Sequence, residues 1–132
     1  MPARVRVYYD DDCGFCRWAL AWLLRWDRRG RLRPVPIASA EGERELGDLG
    51  PARFDSWHLV REGERHSGGR AFAPLLEELP GGRALTPAVR RMDRLLVPAY
   101  DWVAAHRSGL SRLVPARSKK RADALVAARR EG

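Results

Sequence analysis

Cys13 and Cys16 are the two cysteines of this 132-residue chain, and Gly14-Phe15 separates them. A C-x-x-C pair has three readings: thiol-disulfide exchange, half of a zinc site, or an inert structural pair. Exchange requires one sulfur to act as a thiolate, and a helix N-terminus favours this by presenting unpaired N–H groups to it. The second sulfur, one turn into the helix, can then attack the first and release a mixed disulfide. On this reading Cys13 is the nucleophile and Cys16 the resolving thiol. Zinc needs four ligands, and the sequence has no second C-x-x-C and no H-x-x-x-H; His58, His66 and His106 are scattered. Only copper or zinc bound with His58 or His66 would sustain the metal reading. No cofactor is expected, because the cysteine pair itself carries the electrons.

Asp10, Asp11 and Asp12 directly precede the pair, and their charge opposes a thiolate. A helix N-terminus favours the thiolate by roughly 0.3–1 kcal/mol. A carboxylate about 4 Å away opposes it by up to roughly 4 kcal/mol at an effective dielectric of about 20. Arg17 is the cation next to Cys16 in sequence. If a carboxylate points at the sulfur, the thiol is less acidified and the pair is reducing rather than strongly oxidising. Asp10 is the candidate for a buried carboxylate that accepts or relays a proton. An aspartate there can equally serve as a turn or capping residue.

The pair must sit between a strand and a helix for this chemistry to hold. Val5-Arg6-Val7-Tyr8-Tyr9 reads as a short, partly buried strand. Residues 14–28 read as a helix, with Phe15, Trp18, Ala19, Trp22, Leu23 and Trp26 on one face and Leu20 and Leu24 widening it. At that spacing the three tryptophans are expected in the core, and Gly30 closes the helix. Pro34 and Pro36 make residues 32–37 a short strand near a sheet edge. Residues 39–55 are weakly patterned, with one helical turn around 43–46. Residues 57–60 read as a strand that turns at Glu62-Gly63-Glu64 into a hairpin.

Residues 70–79 form a helix that Pro80-Gly81-Gly82 stops. Thr86-Pro87 starts another, with Thr86 as its N-cap. Pro98 is expected to break that pattern, and a second segment runs over 99–107. The order of elements implies an α/β arrangement, a small mixed sheet covered by helices.

Tyr9-Asp10-Asp11-Asp12-Cys13-Gly14-Phe15-Cys16 resembles the Y-D-G-x-C-x-x-C opening of the DCC family of predicted thiol-disulfide oxidoreductases. Arg33-Pro34-Val35-Pro36-Ile37 resembles the family's second strand and Ser56-Trp57-His58-Leu59-Val60 its central strand. Gly68 and Ala71 match a G-x-x-A element, and Leu79-Pro80-Gly81 matches a helix-ending L-P-G. Tyr100, Ala104 and Arg107 fit a closing Y-x-x-x-A-x-N-R element.

The resemblance spans roughly residues 5–113. It implies a thioredoxin-like fold with extra C-terminal helices, a dithiol role for Cys13 and Cys16, and Asp10 as the signature acid. The chain departs from the pattern where Asp11 replaces glycine and His106 replaces asparagine. No proline precedes the Trp57 strand, where thioredoxin-like enzymes place a cis-proline facing the C-x-x-C. Asp55-Ser56 holds that approach, so Phe15 and Ser56 are the candidate substrate-binding residues. Residues 1–115 are expected to form the thioredoxin-like domain and 116–132 a basic tail, helical or partly disordered.

The net charge is +8, and Lys119 and Lys120 are the only lysines among arginines spread along the chain. The spread gives little reason to expect a nucleic-acid partner. The alternative from another class is a non-catalytic module that binds a partner or anionic surface through its basic face and tail. At the tail itself, a solvated helix is expected. The longest apolar run, residues 18–24, is far short of the roughly 20 residues of a membrane span. Met1-Pro2-Ala3-Arg4 leads into the first strand with no signal-like segment, so a cytoplasmic protein is expected. Its partners would be a protein or small-molecule disulfide or thiol substrate and an unspecified reducing system.

Overall fold

Alternation along β1 (Val5–Tyr9) sets the layering of the chain. Val5, Val7 and Tyr9 pack with Leu20, Ala21 and Leu24 of α1 (Gly14–Trp26) on one side of the sheet. Tyr8 packs with Val35, Ile37, Leu46 and Val60 on the other. The computed structural model that shows this describes residues 5–113 and 115–131. The reading of residues 1–4, and the Arg130 side chain of the basic tail, lie outside what it describes.

The sheet runs β2-β1-β3-β4. The edge strand β2 (Leu32–Pro36) is parallel to β1, so its prolines interrupt no central ladder. β3 (His58–Arg61) is antiparallel to β1, and β4 (Glu64–Ser67) returns antiparallel to β3. Glu62 and Gly63, with φ of 53° and 79°, make the two-residue turn between them; both central residues at positive φ match the twist of the paired strands. A β-α-β unit followed by a hairpin, with helices on both faces, is the thioredoxin-like α/β fold that the sequence implies.

The second face is covered by α2 (Ala40–Leu46) and the 3-10 run Gly47–Asp55. Ser39 Oγ caps α2 by accepting the Gly42 N–H at 3.1 Å, which starts this helix earlier than the turn read at 43–46. Gly42 must be glycine, because a Cβ there would lie 2.4 Å from the Ile37 carbonyl oxygen.

Several expectations need correction. The tryptophans do not all enter the core: Leu20, Ala21 and Leu24 carry the buried face of α1, while Trp22 is 55 % exposed, with the Arg25 guanidinium 5.2 Å from its ring. Trp18 and Trp26 are partly buried beside the core. The reason lies in α7 (Ala116–Glu131), whose Ala122 and Val126 are buried in the same core as α1, with Leu125 packed against it. The narrow stripe read as belonging to a solvated helix is therefore an interface.

Thr86 does not cap α4 (Thr86–Arg91); its hydroxyl donates to the Gly82 carbonyl at 3.3 Å, and Leu85 holds the cap position. Pro98 does not break α5 (Asp93–Ala105), which runs through it. Proline removes one backbone bond there, but α5 is clasped against the 3-10 turn Gly68–Ala71. A Cβ on Gly69 would sit 2.7 Å from Val97 Cα.

The helix read at 70–79 is this 3-10 turn followed by α3 (Phe72–Glu77). A short α6 (Arg107–Leu113) follows α5. Among the described residues no helix is long and apolar enough to cross a membrane.

Candidate active site

Cys13 is the N-cap of α1, in extended conformation at φ −100° and ψ 110°. Its Sγ accepts the Cys16 backbone N–H at 3.2 Å, so the sulfur does what an aspartate or serine oxygen does at other helix starts. The β1 strand delivers the chain to this point. A turn closes it, with the Cys13 N–H donating to the Asp10 carbonyl at 3.2 Å.

Both cysteines are free thiols and partly buried, with Cys13 the less enclosed. The Cys16 thiol and backbone N–H both hydrogen-bond to the Cys13 sulfur and bring its pKa down to about 6, against the burial that opposes ionisation. The same hydrogen bond, with burial, pushes the Cys16 thiol far up. The two sulfurs are thus unequal: Cys13 holds the anion and Cys16 the proton.

Asp10 takes the turn role open to it in sequence and also forms an ion pair. One carboxylate oxygen accepts the Asp12 N–H at 3.0 Å, which makes the turn. The other is 3.1 Å from Arg107 Nη2. Arg107 also donates to the Phe54 carbonyl at 3.1 Å and stands 4.0 Å from Cys16 Sγ. Its charge favours the Cys13 thiolate more than Asp10 disfavours it, so the acidic run does not leave Cys13 with an ordinary thiol. The pairing physically explains this, because an ion pair presents the sulfur with a dipole instead of a bare negative charge.

Arg17, the cation adjacent in sequence, turns away. Its Nε donates to Asp123 of α7 at 2.6 Å, and Nη1 donates to the Asp11 carbonyl. Asp11 needs no glycine-like backbone, since Glu62 is the one non-glycine at positive φ among the described residues.

A partly open pocket of about 130 Å³ adjoins Cys16, with Asp10 and Arg107 also in its lining. Both candidate substrate-binding residues, Phe15 and Ser56, line it. The remaining wall is apolar, from β1, α1 and α5 together with Trp57 and Phe72. Trp57 packs on Phe72 with ring centroids 5.4 Å apart, and Tyr100 meets Phe72 edge-on at 5.9 Å. The Trp57 N–H donates to Tyr100 Oη at 3.0 Å, and burial pushes the Tyr100 hydroxyl up to about 12.

His58, next in the chain, is buried at 2 % exposure, while Trp57 packs against the core on the opposite face of the sheet. His58 Nε2 donates to the Arg53 carbonyl at 2.8 Å, so Nδ1 accepts from Ser67 Oγ at 2.7 Å. His66 lies 3.8 Å from Glu64, and His106 stacks on Trp102 at 4.3 Å. Among the described residues no three His, Cys, Asp or Glu side chains are grouped as a metal would require.

Reading the residues missed Arg107 as the cation of the site. Tyr100, Ala104 and Arg107 had a signal, their i, i+4, i+7 spacing, which places them on one face of a helix. What that face would meet had none.

The family described as DCC1-like thiol-disulfide oxidoreductase matches residues 7–113. The chain therefore belongs to that family, whose members are thiol-disulfide oxidoreductases. No curated protein and no solved structure matches it.

Proposed function

We propose that this member of the DCC1-like thiol-disulfide oxidoreductases reduces disulfides with Cys13 as nucleophile, Cys16 as resolving thiol and Asp10 with Arg107 governing the proton. The observation that carries this reading is the Cys13 sulfur capping α1 at 3.2 Å from the Cys16 N–H. With a pKa of about 6, Cys13 is roughly nine-tenths thiolate at pH 7.

The thiolate attacks a substrate disulfide, forming one S–S bond as the substrate's own breaks, and the departing thiolate takes a proton from solvent. The negative charge on Cys13 is then gone, and with it the interaction that held the proton on Cys16. Cys16 loses that proton towards Asp10, its new anion stabilised by Arg107, and attacks Cys13 Sγ. The products are the Cys13–Cys16 disulfide and the second substrate thiol, with two electrons passed to the substrate. An external dithiol returns the enzyme to its reduced form. A reducing compartment such as the cytoplasm suits that direction.

The test is turnover of a disulfide substrate with a dithiol reductant. Cys13→Ser should abolish it, and Cys16→Ser should accumulate a one-to-one mixed disulfide visible by mass spectrometry. Undiminished turnover in Cys13→Ser would end this reading, and no turnover in the unaltered chain would leave the non-catalytic binding module.

A further inference from the structure

The pocket beside Cys16 is shaped for more than sulfur chemistry. In its lining, Asp10, Arg107 and Cys16 stand together, with Arg107 3.1 Å from Asp10 and 4.0 Å from Cys16 Sγ. Beyond them the wall carries aromatic rings and aliphatic chains, with Ala19 of α1 and Ala104 of α5 as its small residues. Alanine at these two positions leaves a void in apolar surroundings, where a larger side chain would gain dispersion contacts and stability. A volume of about 130 Å³ with apolar walls and a few polar groups is the size that takes a single small apolar group such as a benzene ring.

Two backbone groups on the approach to β3 are engaged. The Trp57 N–H is held by Tyr100, and the Phe54 carbonyl by Arg107. An extended peptide docking there by strand addition depends on backbone groups such as these. Charged disulfides fare no better: Arg107, the cation at the pocket, is committed to Asp10, and the apolar wall would strip water from carboxylates without replacing it.

We propose that the substrate is a low-molecular-weight disulfide carrying an uncharged aromatic or branched aliphatic group, which occupies the pocket while its sulfur is bonded to Cys13. The proposal rests on the dithiol reading above. Cys13 attacks the sulfur bearing the apolar group, and the other half departs as a thiol. Resolution by Cys16 then frees the apolar thiol and leaves the Cys13–Cys16 disulfide, so two electrons leave the protein and two enter the substrate.

Single-turnover reactions of the reduced full chain distinguish the possibilities. Benzyl 2-hydroxyethyl disulfide should react at least tenfold faster than bis(2-hydroxyethyl) disulfide, oxidised glutathione or the disulfides of insulin. Ala104→Phe should bring the ratio of the first two rates close to one. In the unaltered protein, benzyl alcohol should raise the benzyl-probe concentration that gives half the maximal single-turnover rate. Equal rates for the two small probes, faster reaction with insulin or glutathione, or no competition by benzyl alcohol would each overturn the proposal while leaving the dithiol reading intact. Failure to reduce any of the four would overturn the dithiol reading itself, and the proposal with it.

Discussion

Asp10 and Arg107 form an ion pair beside Cys13 and Cys16, whose mutual hydrogen bond places the negative charge on Cys13. The ion pair spans 3.1 Å, with Arg107 also 4.0 Å from Cys16 Sγ. Their effects on Cys13 have opposite signs: the guanidinium lowers its pKa and the carboxylate raises it. Alkylation of Cys13 by iodoacetamide should therefore show a midpoint of about pH 6. Arg107→Gln removes the favourable charge, so the midpoint should move up towards the ordinary thiol value. Asp10→Asn removes the unfavourable charge and frees the guanidinium for the sulfurs, so the midpoint should move down. A purely structural role for the ion pair would move both variants in the same direction. Asp10→Asn should also slow resolution, read as a longer-lived mixed disulfide.

At the level of elements, the site depends on how closely α5 approaches the turn before α3. Gly69 permits that approach, because a Cβ there would lie 2.7 Å from Val97 Cα and 2.8 Å from the Leu96 carbonyl. The contact is backbone against backbone, so no side chain can swing aside. Gly69→Ala should cost about 1–3 kcal/mol in chemical denaturation through overpacking. It should also displace Tyr100 and Arg107, which α5 and its junction with α6 carry, so that the Cys13 alkylation midpoint rises. A stability loss with no change in midpoint would show that α5 does not position the cation. Helix periodicity located this segment but misjudged Pro98, because sequence cannot show that the lost backbone bond is offset by packing against two glycines. Likewise, the spacing of Trp18, Trp22 and Trp26 revealed an apolar face but not where its covering ends.

For the molecule as a whole, α7 makes the C-terminal segment part of the thiol domain's core. Asp27, 1 % exposed, receives the Arg31 and Leu32 N–H groups and two contacts from Arg129, at 3.1 and 3.0 Å. Arg129 also donates to the Asp27 and Leu24 carbonyls, closing the C-terminus of α1. Arg129→Ala would leave a buried carboxylate short of its counter-charge and should destabilise the chain by about 3 kcal/mol. Arg129→Lys should recover only part, since a lysine lacks the planar fork; the denaturation midpoints of the two variants check this.

Nothing local marks Asp27 or Arg129, separated by 102 positions, as partners. Local chemistry is what the chain of residues carries openly: a C-x-x-C after a β-branched strand, the turn-forming Asp10 and the Glu62-Gly63 hairpin each follow from near neighbours. Cys13 and Cys16 could be read as a dithiol for that reason. The charge that balances Asp10, the face of α1 left to solvent and the pocket between α1 and α5 arise from contacts between distant segments. Those contacts exist only once burial of the two cores has brought the segments together.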